Sequence, residues 1–250
     1  MTPALHVVCY RWGAKYVSED VNILRAMVER NLSAPHVFHC VTDDPSGLDS
    51  RIVAHALPDL GVQGIWRKLM TFQPGFLGLD GGVVLALDLD VVIVRSLDFV
   101  LERPEADFRI GRNWAPDGRA SGCLYRLRVG SLPQLWTRFI AEPGRMIERF
   151  HTKNRGTGEQ AWLDHNIAAF DFFPDGKIVS FKEHCNAKGT PLLRSRRLGV
   201  DLGPIPIGKA APPPGAAVVS FHGEPLPRDF VRRPPGAWKR APFVREHWRL

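Results

Sequence analysis

The chain has 250 residues, of which 44% are hydrophobic and 24% are charged. This length and composition fit one sizeable globular core, and they exclude a disordered chain, a collagen-like repeat and a disulfide-stapled miniprotein. The formal net charge is +7, and the excess lies in residues 191–250, which hold 11 Lys and Arg against 4 Asp and Glu. Such a basic segment is typical of a solvated surface or of a contact with phosphate groups.

No part of the sequence predicts a transmembrane helix. The longest apolar run, residues 82–94, is interrupted by Asp88 and Asp90, whereas a membrane-spanning helix needs about 20 apolar residues. The N-terminal residues lack the basic start and the longer apolar segment of a secretion signal. We therefore expect a cytoplasmic protein.

The four cysteines are far apart in the sequence and form no C-x-x-C pair: Cys9, Cys40, Cys123 and Cys185. This spacing predicts neither a zinc ribbon nor a disulfide framework. We expect reduced thiols that are mostly buried.

Strand and helix patterns alternate through the first hundred residues. Ser18, followed by the acidic Glu19 and Asp20, predicts the N-cap of a first helix. A second helix is expected at about 64–72, with Ile65, Leu69 and Phe72 on one face. Apolar runs predict strands at 5–10, 36–42, 52–56 and 83–87. The last run is apolar at every position, which is typical of a central parallel strand covered on both sides.

The second half has a less regular pattern. We expect strands near 122–127, 177–181 and 216–221, and helices near 132–140 and 159–169. A proline-rich segment covers 204–214. The pattern predicts a single α/β domain with a mostly parallel sheet and an irregular C-terminal part.

Two carboxylates follow the apolar strand 83–87, in the sequence Asp88-Leu89-Asp90. Ligands of open α/β sheets bind beyond the C-terminal ends of the strands. Residues two apart on an extended segment point to the same side, so both carboxylates can address one cation. Because buried carboxylates are unfavourable without a cation or hydrogen bonds, this pair indicates a functional site.

Three further motifs follow the D-x-D motif in chain order: Ser121-Gly122, Glu159-Gln160 and Phe221-His222-Gly223 with Pro225 and Pro227. Together with Leu87-Asp88-Leu89-Asp90, they resemble the motifs of the GT-A fold nucleotide-sugar glycosyltransferases. The resemblance is to the retaining galactosyl- and glucosyltransferases of glycosyltransferase family 8. It implies a GT-A fold, with a nucleotide-binding half at about 1–100 and an acceptor-binding and C-terminal part at about 101–250.

The resemblance also implies roles for individual residues. Asp88, Asp90 and His222 would hold Mn²⁺ or Mg²⁺ against the donor diphosphate. Glu159 and Gln160 would border the donor sugar and the acceptor. The residues expected to contact the nucleotide-sugar are Tyr10, Arg11, Lys68, Asp88, Asp90, Lys209 and Arg228.

The sequence departs from the family pattern at three positions. Ala120 stands in place of the asparagine of N-S-G, Glu159 in place of the usual aspartate, and Leu226 in place of the lysine that clamps the diphosphate. Another basic residue must then serve as the clamp. The candidates are Lys209, Arg228, Arg232, Lys68 and Arg67.

The expected reaction moves a hexose, with retention of configuration, from a uridine diphosphate donor to an acceptor hydroxyl. The acceptor is expected to be a glycan or a lipid-linked glycan in cell-surface glycan synthesis. The basic tail adds a peripheral contact with the inner face of the membrane, and no nucleic acid is expected as a partner.

Two alternatives use the same features. A haloacid-dehalogenase-like phosphatase would use Asp88 and Asp90 as nucleophile and acid, but that pair usually follows the first strand, and only Asp171 and Asp175 match its later acidic motif. A nucleic-acid or membrane-surface module would use the basic tail, with its aromatic residues Trp238, Phe243 and Trp248.

Overall fold

The computed structural model describes residues 5–114, 119–150, 158–189, 194–195, 200–201, 207–232 and 234–250. Its strands are β1 (Leu5–Arg11), β2 (His36–Thr42), β3 (Ile52–Ala56), β4 (Val83–Leu87), β5 (Val91–Ile93), β6 (Phe108–Arg112), β7 (Ala120–Arg128), β8 (Ile178–Ser180), β9 (Arg194–Ser195), β10 (Val200–Asp201) and β11 (Val218–Ser220). The α-helices are α1 (Ser18–Asn31), α2 (Pro133–Ala141), α3 (Pro143–Phe150), α4 (Glu159–Asn166), α5 (Phe181–His184), α6 (Asp229–Arg232) and α7 (Pro242–His247). Segments of 3₁₀ helix cover Gly64–Phe72, Phe76–Gly78 and Asp98–Leu101.

The central sheet has six strands in the order β3-β2-β1-β4-β7-β6. The first four are parallel to one another, and β7 is antiparallel to both of its neighbours. The four strands predicted in the first hundred residues are all present in this sheet. The mostly parallel α/β architecture is therefore confirmed.

Hydrophobic cores lie on both faces of this sheet. Val7 and Cys9 of β1 belong to the core that includes α1 and the smaller sheet, whereas Val8 and Tyr10 belong to the core that includes α2 and α4. Successive residues of a strand point to opposite faces. An uninterrupted apolar run such as Val83–Leu87 therefore supplies both cores.

A three-stranded sheet in the order β5-β11-β8 continues the fold beyond the D-x-D motif. Strand β11 is parallel to β8 and antiparallel to β5. Since β5 follows Asp90 directly and β11 ends just before Phe221, this pairing brings the D-x-D motif close to the segment that contains His222. The strand predicted at 216–221 is confirmed, although its paired part is shorter.

Several local predictions need correction. Residues 64–72 form a 3₁₀ helix, and the side chain of Ile65 is exposed while Leu69 and Phe72 are buried. Helix α1 begins at Ser18 with Val17 as its N-cap, because Asp20 Oδ2 accepts the Val17 N–H at 2.8 Å. Ser18 is therefore the first helical residue and not the cap, and the N-cap residue Val17 makes no side-chain hydrogen bond to the helix.

The described part of the chain contains no helix with both the length and the apolar character needed to cross a membrane. All four cysteines are buried and unbridged, as predicted. Of the proline-rich segment 204–214, residues 204–206 lie outside the described residues.

Three histidines form a chain of hydrogen bonds across β1, β2 and β3. His6 Nδ1 lies 2.9 Å from His39 Nε2, and His39 Nδ1 lies 2.9 Å from His55 Nε2. Burial, together with the charges of its two neighbours, lowers the pKa of His39 to about 4. Burial also lowers the pKa values of His6 and His55.

This chain predicts a loss of stability in acid. The pKa of His39 is lower in the folded state than the usual value of about 6.5, so between about pH 6.5 and pH 4 the unfolded chain binds more protons. The free energy of unfolding must then fall as the pH falls through that window. We expect His39→Gln to reduce this pH dependence, measured as melting temperature against pH.

The matched control is His36→Gln, which changes a histidine of the same strand outside the hydrogen-bonded chain. It should keep the wild-type slope. Equal slopes for His39→Gln and the wild type would show that the buried histidines do not cause the acid sensitivity.

Candidate active site

A cavity of about 540 Å³ opens at the C-terminal ends of β1 and β4. The strand order changes direction between these two strands, and this is where open α/β sheets bind ligands. The lining of the cavity brings together residues that are far apart in the sequence: Tyr10, Trp12, Lys15, Tyr16, Gly64, Ile65, Lys68, Asp88, Leu89, Asp90, Glu159, Gln160, His222 and Gly223. All four sequence motifs therefore meet at or beside one cavity.

Lys68 is the buried cation of this site. Its Nζ donates to Asp88 Oδ1 at 2.7 Å, to Glu159 Oε1 at 3.2 Å and to the carbonyl of Gly122 at 3.2 Å. Burial alone would lower the pKa of Lys68, but the adjacent carboxylates raise it well above its usual value. Lys68 therefore remains charged and holds three separate segments together.

Glu159 begins α4 and is buried, with 5% of its surface exposed. Burial raises the pKa of this carboxyl, and the charge of Lys68 opposes the shift. Its second oxygen, Oε2, is buried without a hydrogen-bond partner among the described residues. Because Glu159 also lines the cavity, a ligand hydroxyl could satisfy this acceptor after a small shift of the side chain exposes it.

Two glycines lie at the contacts of this arrangement. A Cβ on Gly122 would lie 3.4 Å from Glu159 Oε1 and 3.6 Å from Gln160 Cγ, so Ser121-Gly122 and Glu159-Gln160 are in direct contact. A Cβ on Gly158, which has a φ of +73°, would lie 2.2 Å from Ile65 Cδ1. The positive φ favours glycine at position 158, and a side chain there would also have to displace the exposed Ile65 side chain.

Asp90 has different partners from Asp88. Its Oδ2 accepts hydrogen bonds from the Tyr16 hydroxyl and from the Gly223 N–H, each at 3.2 Å. Its carbonyl accepts the Phe221 N–H at 2.9 Å. Burial and the charge of Asp90 raise the pKa of Tyr16, which keeps this hydroxyl protonated as a donor.

His222 lies in a strained turn after β11. Its φ of +37° is unusual for a residue with a side chain, and Gly223 follows with a φ of +91°. Its Nε2 lies 2.6 Å from Ser180 Oγ, and its ring stacks on Trp114 at a centroid distance of 4.7 Å. Burial, with the charge of Lys182, lowers the pKa of His222 to about 4, so the ring is neutral at pH 7.

The predicted metal ligands line one cavity but do not form a preassembled metal centre. Among the described residues, no three His, Cys, Asp or Glu side chains are grouped to hold an ion. One oxygen of Asp88 is engaged by Lys68, and one nitrogen of His222 by Ser180. A cation could bind His222 only through Nδ1 or by displacing the Ser180 hydroxyl.

No family model and no curated protein matches the sequence. Solved structures do match the fold. The galactosyltransferase LgtC, in complex with donor and acceptor sugar analogues, has a TM-score of 0.56 at 12% identity, over 89% of this chain and 88% of that one. The bifunctional glycosyltransferase WbbM has a TM-score of 0.57 at 12% identity, over 98% of this chain and 51% of WbbM.

The glycosyltransferase GlyE of Streptococcus pneumoniae TIGR4 has a TM-score of 0.52 at 14% identity, over 70% of this chain and 46% of GlyE. The chain thus matches about half of WbbM and of GlyE, and most of LgtC. The fold is that of the GT-A glycosyltransferases. The resemblance read from four short motifs is confirmed at the level of the fold.

Tyr10 and Arg11 are the last two residues of β1, which ends one residue beyond the predicted end of the strand. The Tyr10 ring belongs to the core, and its hydroxyl lies 2.6 Å from Thr71 Oγ1. The Arg11 guanidinium binds Asp44 and the carbonyl of Tyr16 and does not line the cavity. Tyr10 and Trp12 line the cavity, while Arg11 supports the loop beside it.

The other predicted clamp residues, Arg67, Lys209, Arg228 and Arg232, do not line the cavity. Arg228 pairs with the buried carboxylate of Asp20 at 2.7 Å and donates to the carbonyl of Lys15 at 2.6 Å. Lys209 is exposed, and its backbone pairs with Arg240. Lys68 alone of the predicted basic residues lines the cavity.

The GT-A fold does not favour the two alternatives. The acidic residues that a phosphatase would need are engaged elsewhere: Asp171 pairs with Arg103 and Arg109, and Asp175 pairs with Arg112. A module built on the basic tail alone leaves the cavity and its buried lysine unexplained.

Four residues of the site were not predicted from the sequence: Tyr16, Trp114, Ser180 and Lys182. Each contacts Asp90 or His222 from a distant part of the chain. Lys15, which lines the cavity with an exposed side chain, was also missed. Its position four residues after the first strand of the GT-A fold was the available signal.

The Arg228–Asp20 pair predicts a structural role for Arg228. Arg228→Gln should lower the free energy of unfolding by about 1–3 kcal/mol, because it leaves a buried carboxylate without its cation. Asp20→Asn in the same chain should recover part of that loss, which a double-mutant cycle by urea denaturation would measure.

The matched control is Arg232→Gln, since Arg232 is exposed on the same short helix α6. It should change the free energy of unfolding by about 0.5 kcal/mol or less. If Arg228→Gln costs no more than this control, the ion pair does not stabilise the loop.

Proposed function

We propose that the protein is a glycosyltransferase that moves a hexose from a uridine diphosphate donor to an acceptor hydroxyl, with retention of configuration. The observation that carries this proposal is the buried Lys68, held between Asp88 and Glu159 at the cavity on a GT-A fold. Lys68 uses its three N–H donors on Asp88, Glu159 and the Gly122 carbonyl, so its task is to hold the two carboxylates in place beside the donor.

The charge of the cavity supports a divalent cation. Its charged lining side chains are Lys15 and Lys68 against Asp88, Asp90 and Glu159. A diphosphate would be repelled by the excess of carboxylates over lysines in this lining unless a cation offset it. Two carboxylates and a neutral imidazole suit Mn²⁺ or Mg²⁺, so the residues fit the expected ion in chemistry.

We assign Asp88, Asp90 and His222 to this cation, which when bound would neutralise the charge that develops on the departing diphosphate. The residues of the chain have separate tasks around it. Tyr16 and Gly223 fix Asp90, and Lys68 fixes Asp88. Glu159, with its free Oε2, orients a sugar hydroxyl and stabilises positive charge at the anomeric carbon.

The diphosphate clamp is proposed to be Lys15. It replaces the lysine that is absent at Leu226, because it lines the cavity and its Nζ lies 4.9 Å from the Tyr16 ring, beside Asp90. Tyr10 and Trp12 are proposed to contact the base. The acceptor is proposed to be a glycan or lipid-linked glycan, and a peripheral membrane contact of the tail remains a prediction.

The cation and the nucleotide are expected to bind interdependently. Uridine diphosphate should bind at least about tenfold more tightly with Mn²⁺ than with a chelator, because the diphosphate and the carboxylates share the ion. Calorimetry would measure this. Asp88→Asn should weaken binding in Mn²⁺ and have little effect in chelator, whereas equally tight binding in chelator would refute the metal-bridged site.

Glu159→Gln is expected to lower turnover with little change in the affinity for uridine diphosphate. The substitution keeps an oxygen for Lys68 but removes the charge that would stabilise the transition state. The measurement is kcat for sugar transfer together with the calorimetric Kd of the diphosphate.

The matched control is Glu148→Gln on the exposed side of α3. It removes the same charge from a residue that is not among the Lys68 partners, and it should leave both values unchanged. Wild-type turnover in Glu159→Gln would remove Glu159 from the reaction, and a lost transfer with intact diphosphate binding would support its place beside the sugar.

A further inference from the structure

Three arginine side chains in the described part of the chain make no hydrogen bond or ion pair with the protein: Arg232, Arg240 and Arg245. All three are exposed. The other arginines with described side chains make hydrogen bonds or ion pairs with other residues of the protein, as Arg228 does with Asp20. Among the arginines whose side chains the structure describes, the unpaired guanidinium groups are therefore concentrated in one region.

These three arginines line one groove of about 890 Å³ beside α6 and α7. The rest of its lining is Phe230, Val231, Pro234, Gly236, Trp238, Ala241 and Pro242. It contains no Asp or Glu, and it shares no residue with the active-site cavity. The groove thus presents positive charge without internal compensation.

The chemistry of the groove fits one class of ligand. A guanidinium group has a planar fork of donors that matches the oxygens of phosphate, and three of them around a groove favour an anion. Trp238 and the two prolines supply an apolar wall beside the charges. A phosphate carried on an apolar group would satisfy both parts of the lining.

We propose that this groove binds a phosphate group through Arg232, Arg240 and Arg245. The phosphate belongs to a lipid headgroup or to a soluble phosphate compound. The part of the ligand that would contact Trp238 differs between these two sources. The proposal does not depend on the sugar-transfer reaction, because the groove and the active-site cavity have separate linings.

The test compares the wild type with R232Q/R240Q/R245Q, whose three positions are exposed and unpaired, so the fold should be retained. The control R51Q/R138Q/R145Q removes the same charge from three exposed arginines elsewhere. Sedimentation with vesicles of equal parts phosphatidylglycerol and phosphatidylcholine tests the lipid source. Calorimetry with inorganic phosphate tests the soluble source.

We expect the groove variant to bind the anionic vesicles at least about tenfold more weakly than the wild type, and the control to bind like the wild type. Vesicles of phosphatidylcholine alone should bind none of the three proteins. Phosphate binding that is lost in the groove variant, without vesicle binding, supports a soluble ligand. The proposal is overturned if the wild type binds neither probe, or if the control variant loses as much binding as the groove variant.

Discussion

The buried ammonium group of Lys68 is the interaction on which the candidate site depends. Moving a lysine into a protein interior is costly unless carboxylates and hydrogen bonds compensate for the lost water. Here Asp88 and Glu159 do so, and they come from the end of β4 and the start of α4. The pair of contacts therefore fixes the relative positions of a 3₁₀ helix, a strand end and a helix start.

The two carboxylates of the D-x-D motif are held by different parts of the chain. Asp88 is tied to Lys68 in the first half, whereas Asp90 is tied to the C-terminal turn through Gly223. This division explains the strained backbone of His222, because the turn must bring a backbone N–H and an imidazole to the same cavity. The strain is offset by the bonds to Ser180 and Asp90.

Sequence patterns predicted the strands and the D-x-D motif because these depend on local periodicity and on the end of an apolar run. They did not predict the partners of the motif. Lys68 and Glu159 are 91 positions apart, and nothing in the spacing of either residue signals the other. The charge of Arg228 predicts a contact with phosphates and the position of Asp20 predicts a helix start, and neither pattern signals that the two residues pair.

The groove of unpaired arginines and the active-site cavity share one aromatic core. Phe181 stacks on Phe221 at 4.2 Å and contacts Phe230 at 4.9 Å, so the residue before His222 and the wall of the groove pack on the same ring. Shared packing alone does not couple two sites, since coupling requires an element with two arrangements that both ligands bias. These rings are buried and in close contact, which favours one arrangement. Occupation of the groove should then localise or orient the protein without changing the affinity of the cavity for the proposed nucleotide.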